Sequence, residues 1–232
     1  MIDTWQVPLG EGESRQELLA RFASGRDTRV LILPAWFDEA NRLRHFTIET
    51  MRRLDEAGID SFLPDLPGCN ESLAPLEKQT LGSWRLAAQA AAHEFAATHV
   101  LAMRSAALIA PGSLPGWNYA PQSGSAQLRR MVRARLLAAR EAGLSETRED
   151  LMQQGKHEGL MLAGWPLGSA LFEALAASDD APGDHARATI EQSEIGGAGL
   201  WLRSEPTHDP AQSQSLAERI IADLRAAPLS AS

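Results

Sequence analysis

The sequence predicts an α/β fold: one domain built on a mostly parallel β-sheet with helices on both of its faces. Apolar runs at 29–33, 61–64 and 99–103 indicate three strands, and amphipathic helical patterns separate them. Strands that alternate with helices in this way form βαβ units with right-handed crossovers. The length of 232 residues suits a single domain of this class.

The strand at 29–33 is the most strongly indicated element. Its run Val-Leu-Ile-Leu is continuously apolar, which is typical of a strand covered on both faces. Residues 17–23 precede it as a strand or a helical turn, and the intervening Gly25-Arg26-Asp27 predicts a hairpin-like connection. Weaker strand patterns follow at 115–121, 159–163, 186–192 and 199–203.

Helix boundaries are marked by capping residues. We expect the first helix over 38–58, with Asp38 as its N-cap and Gly58 as its stop signal. Thr80 is placed to cap a second helix whose apolar residues recur at helical spacing. The Asp-Pro pair at 209–210 predicts the start of a last helix, with proline at its first position.

A basic helix is predicted over Gln127–Ala142. Its five arginines indicate an anionic partner or, as is more common, a solvated face that four of them can share opposite an apolar one. They are Arg129, Arg130, Arg133, Arg135 and Arg140. Residues 125–158 as a whole form the candidate for a small lid or helical insertion. The same helices could equally form the surface of a homodimer.

Composition excludes several classes of protein. The net charge of −8 argues against nucleic-acid binding, which depends on Lys and Arg. A lone cysteine, Cys69, cannot form an intrachain disulfide, and the six histidines have no metal-ligand spacing, so we expect no metal and no cofactor. No apolar run approaches the ~20 residues of a membrane span, and the first residues do not resemble a secretory signal, so a cytoplasmic protein is expected.

Candidate site residues follow the strands, because ligands bind at the carboxyl ends of parallel strands. These positions are Pro34–Glu39, the turn from Asp65 to Ser72, Arg104 with Ser105, and the turns near Glu194 and His208. In the second of these segments, Asp65 and Gly68 have the residue types of a tight turn before a helix.

Five segments together resemble a known family: 31–44, the Asp65 turn, 100–108, 117–124 and 162–167. They are similar, in order and spacing, to the second of two hydrolase-like families associated with the exosortase A system of exopolysaccharide-producing bacteria. The resemblance covers about residues 28–175. It implies an α/β-hydrolase fold, a bacterial cytoplasmic protein, and a genetic context of polysaccharide export and protein sorting.

A serine hydrolase needs its nucleophile on a tight strand-to-helix turn between small second neighbours. The segment Ala102-Met-Arg-Ser-Ala106 places Arg104 at the apex of that turn. A guanidinium has no lone pair with which to attack a carbonyl. The corresponding motif of the family resembles small-Leu-Arg-Leu-small, so the missing serine is a family trait. Centring the turn on Ser105 would put Met103 where a small side chain is needed.

Two interpretations of Arg104 remain open. In the first, Arg104 and the amide of Ser105 accept a small anionic or acyl ligand, and Trp36 and Phe37, whose amides could form half an oxyanion hole, complete the site. In the second, Arg104 pairs internally with one of three carboxylates, namely Asp38, Glu39 or Asp65. The first interpretation predicts a non-catalytic protein that binds a ligand or docks a partner.

Catalytic alternatives are also open. An ester or thioester hydrolase would use Ser105 as nucleophile and His208 as base, with Glu194 or the pair Asp179 and Asp180 orienting the imidazole. A reaction without a nucleophilic serine would use Asp38, Glu39 or Asp65 as general acid or base.

Overall fold

A computed structural model describes residues 1–10, 13–179 and 187–226. The strands and helices follow one another in this order: β1 (Ile2–Gly10), β2 (Glu13–Phe22), β3 (Arg29–Leu33), α1 (Asp38–Glu56), β4 (Asp60–Pro64), α2 (Leu81–Glu94), β5 (His99–Met103), β6 (Gly116–Tyr119), α3 (Gly124–Glu141), α4 (Arg148–Glu158), β7 (Leu160–Leu162), β8 (Trp165–Leu167), α5 (Ser169–Ala176), β9 (Arg187–Ile190), α6 (Gln192–Ile195) and α7 (Pro210–Ala226). Short 3₁₀ turns occupy Leu76–Lys78, Arg104–Leu108 and Leu200–Leu202.

One seven-stranded sheet organises the chain, in the order β1-β2-β4-β3-β5-β6-β9. The five strands from β4 to β9 in this order are parallel, and β1 and β2 are antiparallel to their neighbours. The prediction of a single, mostly parallel domain is therefore confirmed. Strand β3 lies near the middle of the sheet, and its residues 30–33 are fully buried, as their continuous apolar run predicts.

The predicted hairpin between 17–23 and 29–33 is wrong. Strand β2 pairs with β4, through Leu19 opposite Pro64, and its other neighbour is β1. The physical reason is that β3 is apolar on both faces and takes parallel neighbours on both sides, whereas the partly exposed β2 suits a place nearer the edge. Strand β1 was not predicted, although Trp5 and Val7, two residues apart and both buried, mark its inward face.

One later strand prediction is wrong, and two others are confirmed with shorter bounds. Residues 199–203 form a 3₁₀ turn over Leu200–Leu202, not a strand. The pattern at 159–163 does give strand β7, but β7 pairs with β8 in a separate two-stranded sheet. Within the predicted range 186–192, β9 covers Arg187–Ile190, and residue 186 lies outside the described residues.

Of the four predicted helix-boundary residues, three lie where the sequence predicts them. The Thr80 hydroxyl accepts a hydrogen bond from the Ser83 amide at 2.9 Å, and Gly58 takes a φ of 82° just after α1. Asp209 accepts from the Ala211 amide at 3.1 Å ahead of α7. Asp38, however, is the first residue of α1, and the N-cap is Phe37, which offers no capping side chain.

Helices cover both faces of the sheet and divide the core into two layers. Leu31 and Leu33 of β3 point into the layer under α2, α3, α4 and α5, while Val30 and Ile32 point into the layer under α1 and α7. The alternation along a fully buried strand thus places one set of apolar residues under each helical layer. No helix among the described residues is long and apolar enough to cross a membrane.

The predicted insertion 125–158 forms α3 and α4. On α3, Arg129, Arg133 and Arg140 are exposed, as expected for a solvated face. Arg135 forms an ion pair with Glu146 at 2.5 Å. The remaining arginine of this helix, Arg130, is half-buried and contacts Glu39 of α1 instead.

Gly116 of β6 packs directly against the backbone of β5. Its φ is 144°, and a Cβ built there would lie 2.0 Å from the carbonyl oxygen of Val100. We expect Gly116→Ala to lower the free energy of unfolding by about 2–4 kcal/mol, because the added carbon meets the backbone of β5. Urea denaturation measures this change. Gly112→Ala, where a Cβ meets nothing within 4 Å, is the control and should stay within about 0.5 kcal/mol of wild type; equal effects would contradict the prediction.

Candidate functional site

Arg104 directly follows β5 and has a left-handed backbone conformation, with a φ of 58°. A non-glycine residue in this region carries conformational strain, which persists only when the surroundings fix it. Its second neighbours on either side, Ala102 and Ala106, are fully buried. The turn after the central strands is therefore sharp, and Arg104 stands at its tip.

The guanidinium of Arg104 is held entirely by the protein. It donates to both carboxylate oxygens of Glu39, at 3.1 and 3.4 Å, to the carbonyl oxygen of Ala120 at 2.5 Å, and to the side-chain oxygen of Gln122. The ring of Trp201 covers it, with 3.9 Å from the guanidinium carbon to the ring centroid. Only 8% of Arg104 is exposed.

Glu39 lies between two cations. It belongs to the first turn of α1, is 1% exposed, and contacts Arg130 of α3 as well as Arg104. Of the three carboxylates that could pair internally with Arg104, Glu39 is therefore the partner. Its carboxylate occupies the place where an anionic ligand would meet the guanidinium.

The other two carboxylates have separate partners. Asp65, fully buried, accepts hydrogen bonds from Asn70 at 2.8 Å and from Arg44 at 3.3 Å, and it accepts more weakly from the Glu71 amide. These bonds fix the turn after β4. Asp38 accepts a hydrogen bond from the indole of Trp165 at 3.0 Å, which ties the β7–β8 hairpin to the start of α1.

Ser105, the candidate nucleophile, is 1% exposed. Within the described part of the chain its hydroxyl has no hydrogen-bond partner, and thus no imidazole beside it. A hydroxyl in this setting lacks the adjacent base that would activate it.

His208 and Glu194 also have partners elsewhere. The His208 ring stacks on His45 of α1, with 4.1 Å between centroids. Burial and, next, the neighbouring His45 lower the pKa of His208. Glu194 accepts from the Glu191 amide and pairs with Arg219 of α7 at 2.5 Å; these two contacts, in that order, hold its pKa below the usual range.

The remaining predicted residues divide between core and surface. Trp36 is buried against Trp84, with 4.8 Å between ring centroids, whereas the Phe37 ring lies 5.6 Å from that of Trp165 at the surface of a cleft. Asp179 is exposed, and Asp180 lies outside the described residues.

That cleft, with a volume of about 470 Å³, opens beside the start of α1. Arg42 and Arg44 of α1 contribute cations to it, and Trp165 contributes an aromatic surface. The rest of its lining is Phe37, Asp38, Ala40, Asn41, Asn70, Glu71, Ser204 and Pro206. A smaller cavity of about 130 Å³, lined partly by Arg130 and Gln127 of α3, shares Phe37, Asp38 and Arg42 with it.

Three residues of the site were not predicted from the sequence. Arg130 was counted among surface arginines, and Trp201 fell in a segment assigned to a strand. Arg42 was not identified at all, although its Nη1 donates to the carbonyl oxygen of Trp201 at 3.2 Å. Trp201 itself, a tryptophan in the connection before the last helix, was the sequence feature that could have indicated this contact.

We expect Glu39→Gln to lower the free energy of unfolding by about 3–5 kcal/mol, because it removes one partner of a buried ion pair and leaves Arg104 uncompensated. Chemical denaturation followed by circular dichroism measures the loss. Asp3→Asn, which breaks the exposed pair with Arg21, is the matched control and should change stability by less than about 1 kcal/mol. Similar losses in both variants would show that the Glu39 contacts are not the stabilising ones.

Three comparisons place this geometry among known proteins. No family model matches the sequence, and no curated protein matches it. Among solved structures, Est1E from Butyrivibrio proteoclasticus superimposes with a TM-score of 0.58 at 11% identity, over 96% of this chain and 97% of that chain. Alpha/beta hydrolase domain-containing protein 10 from mouse gives 0.53 at 11%, over 96% and 98%. A protein described as a hydrolase from Agrobacterium vitis S4 gives 0.52 at 13%, over 97% and 98%. The chain therefore has the α/β-hydrolase fold.

Proposed function

We propose that this chain is a non-catalytic α/β-hydrolase-fold protein that binds a small anionic or acyl ligand, or docks a partner, in the cytoplasm of an exopolysaccharide-producing bacterium with an exosortase system. One observation supports the proposal that the protein is non-catalytic. Arg104 stands at the tip of the sharp turn after β5, and Glu39 binds its guanidinium. The bacterial context rests on the resemblance of segments 31–44, 100–108 and 162–167.

The contacts of Arg104 argue against a cryptic nucleophile. A guanidinium remains protonated and offers no lone pair. The adjacent hydroxyl of Ser105 is buried beneath the turn, and His208 stacks on His45. A hydrolase that used Ser105 and His208 would need both side chains to leave these positions and meet.

The same contacts move the expected ligand away from the tip of the turn. Because the Glu39 carboxylate already occupies Arg104, an external anion would have to displace a buried ion pair. The neighbouring cleft needs no such exchange, and its volume is within the usual range for small-ligand sites. Phe37, one of the residues predicted to bind the ligand, lines this cleft.

Two arginines make one end of the cleft suitable for an anionic group. Arg42 and Arg44 are half-buried, and each uses one guanidinium nitrogen in a hydrogen bond to the protein, to Trp201 and Asp65 respectively. Their other N–H groups are available for a carboxylate or phosphate. Asp38 and Glu71 line the same cleft, so its charges are balanced and the anionic group belongs at the arginine end.

Helix α3, which belongs to the segment 125–158, contacts α1 and lines the smaller cavity. Arg130 of α3 contacts Glu39, and Gln127 and Arg130 line the smaller cavity next to the cleft. We infer that the segment acts as a small lid, which its ion pair with α1 holds down.

A fluorophosphonate probe separates the non-catalytic protein from a serine hydrolase. We expect no labelling of the wild-type chain above that of Ser105→Ala, because no base activates the hydroxyl. Mass spectrometry of the treated protein measures the adduct, and an active serine esterase of the same fold provides the positive control. Stoichiometric labelling of Ser105 that disappears in Ser105→Ala would overturn the proposal.

Binding of octanoate and of acetyl phosphate tests the cleft. Arg42→Ala and Arg44→Ala should each raise the dissociation constant by about tenfold, because a charge-assisted hydrogen bond is lost. Isothermal titration calorimetry measures the affinity. Arg140→Ala, an exposed arginine on α3, is the control and should bind as wild type does. If neither compound binds the wild type, or if all three variants bind equally, the cleft is not the anion site.

A further inference from the structure

Two histidines stack where the connection before α7 meets α1. His45 projects from α1, and His208 precedes α7 by two residues. Their rings are 4.1 Å apart at an interplanar angle of 20°. The Nδ1 atom of His208 is buried and has no hydrogen-bond partner among the described residues. The stack is thus a contact between two aromatic rings, with one ring nitrogen of His208 shielded from water.

This stack attaches a loop that forms one side of the cleft. Among the described residues, one hydrogen bond and one ring contact involve the side chains of 204–208. The hydrogen bond is local, from Arg203 to Thr207 at 2.6 Å, and the ring contact is the stack of His208 on His45. Ser204 and Pro206, from the same loop, line the cleft. The stack therefore ties the far end of this loop to α1, while the bond from Arg42 to the Trp201 carbonyl oxygen holds the residues just before it.

Charged groups from α1, from the loop and from the residue ahead of α7 lie near the two histidines. From α1, Glu49 lies 3.9 Å from the His45 ring and also pairs with Arg52, while Arg53 opposes a positive charge. Asp209, ahead of α7, favours a positive charge on His208, and Arg203 lies in the loop itself. Burial and the adjacent His45 outweigh these carboxylates, so the pKa of His208 lies below that of an ordinary imidazole.

We propose that His45 and His208 form an acid-sensitive clasp, which holds the loop 202–208 against α1 and closes one side of the cleft. This inference rests on the proposed function, because the cleft is the ligand site there, and it adds the regulation of that site. The stacked geometry, the shielded Nδ1 and the position of the loop in the cleft wall carry it.

Protonation opens the clasp for two reasons. The proton gained at a ring nitrogen leaves a cationic imidazole with both nitrogens as donors, and the shielded Nδ1 has no acceptor to receive its hydrogen bond. The adjacent His45 ring, 4.1 Å away, also disfavours a positive charge on His208. Since the folded pKa of His208 is depressed, the clasp contributes stability above about pH 6.5, the ordinary imidazole value, and loses it as the pH falls through the lower value.

Hydrogen–deuterium exchange of the full chain, corrected for the intrinsic pH dependence, tests the clasp at about pH 7.5 and about pH 5. We expect residues 202–209 of the wild type to lose about tenfold in protection at the lower pH. His208→Phe keeps a flat ring without a titrating nitrogen and should protect the loop equally at both values. His99→Gln removes another histidine of lowered pKa, on β5, and should retain the wild-type acid response.

Equal protection of the wild-type loop at both pH values, or an acid-induced loss that persists in His208→Phe, would overturn the clasp. Strand β3, which carries no histidine, serves as the internal reference for global unfolding and should keep its protection throughout. No ligand and no catalytic probe enter this measurement. Its failure is therefore distinct from labelling of Ser105 or from absent ligand binding, which would contradict the proposed function instead.

Discussion

The buried ion pair between Arg104 and Glu39 is the interaction on which the rest of the site depends. It joins the tip of the turn after β5 to the first turn of α1, and Arg130 extends it to α3. Removing one member of a buried pair is costly, because the other is left charged in a medium of low dielectric constant. The pair therefore fixes the relative positions of the carboxyl end of β5, α1 and the helical insertion. Its carboxylate also fills the space in which an anion would meet the guanidinium.

Backbone strain and side-chain contacts support each other at this point. A left-handed Arg104 is unfavourable by itself, and its guanidinium contacts with Glu39, Ala120 and Gln122 hold it in place. The same sharp turn that exposes a nucleophile in a working hydrolase here directs a cation inward. The geometry of the fold is kept, and the tip of the turn carries an internally paired cation.

The connection between β9 and α7 contributes a tryptophan over the guanidinium and a histidine on α1. Trp201 covers Arg104, and its carbonyl oxygen accepts from Arg42, a residue of the cleft. His208 attaches the far end of the same connection. Changes in this connection therefore reach both the buried pair and the cleft wall.

The sequence by itself determined the α/β class, the central strand at 29–33, the capped helices and the presence of Arg104 where a nucleophile is expected. These depend on local periodicity and on the order of residues along the chain. Only the tertiary structure decided that β2 lies beside β4, that Glu39 rather than Asp38 or Asp65 pairs with Arg104, and that Arg130, Trp201 and Arg42 belong to the site. Such contacts join residues that are far apart in the chain, and they are chosen by which buried charge and which ring find a partner once the helices have packed.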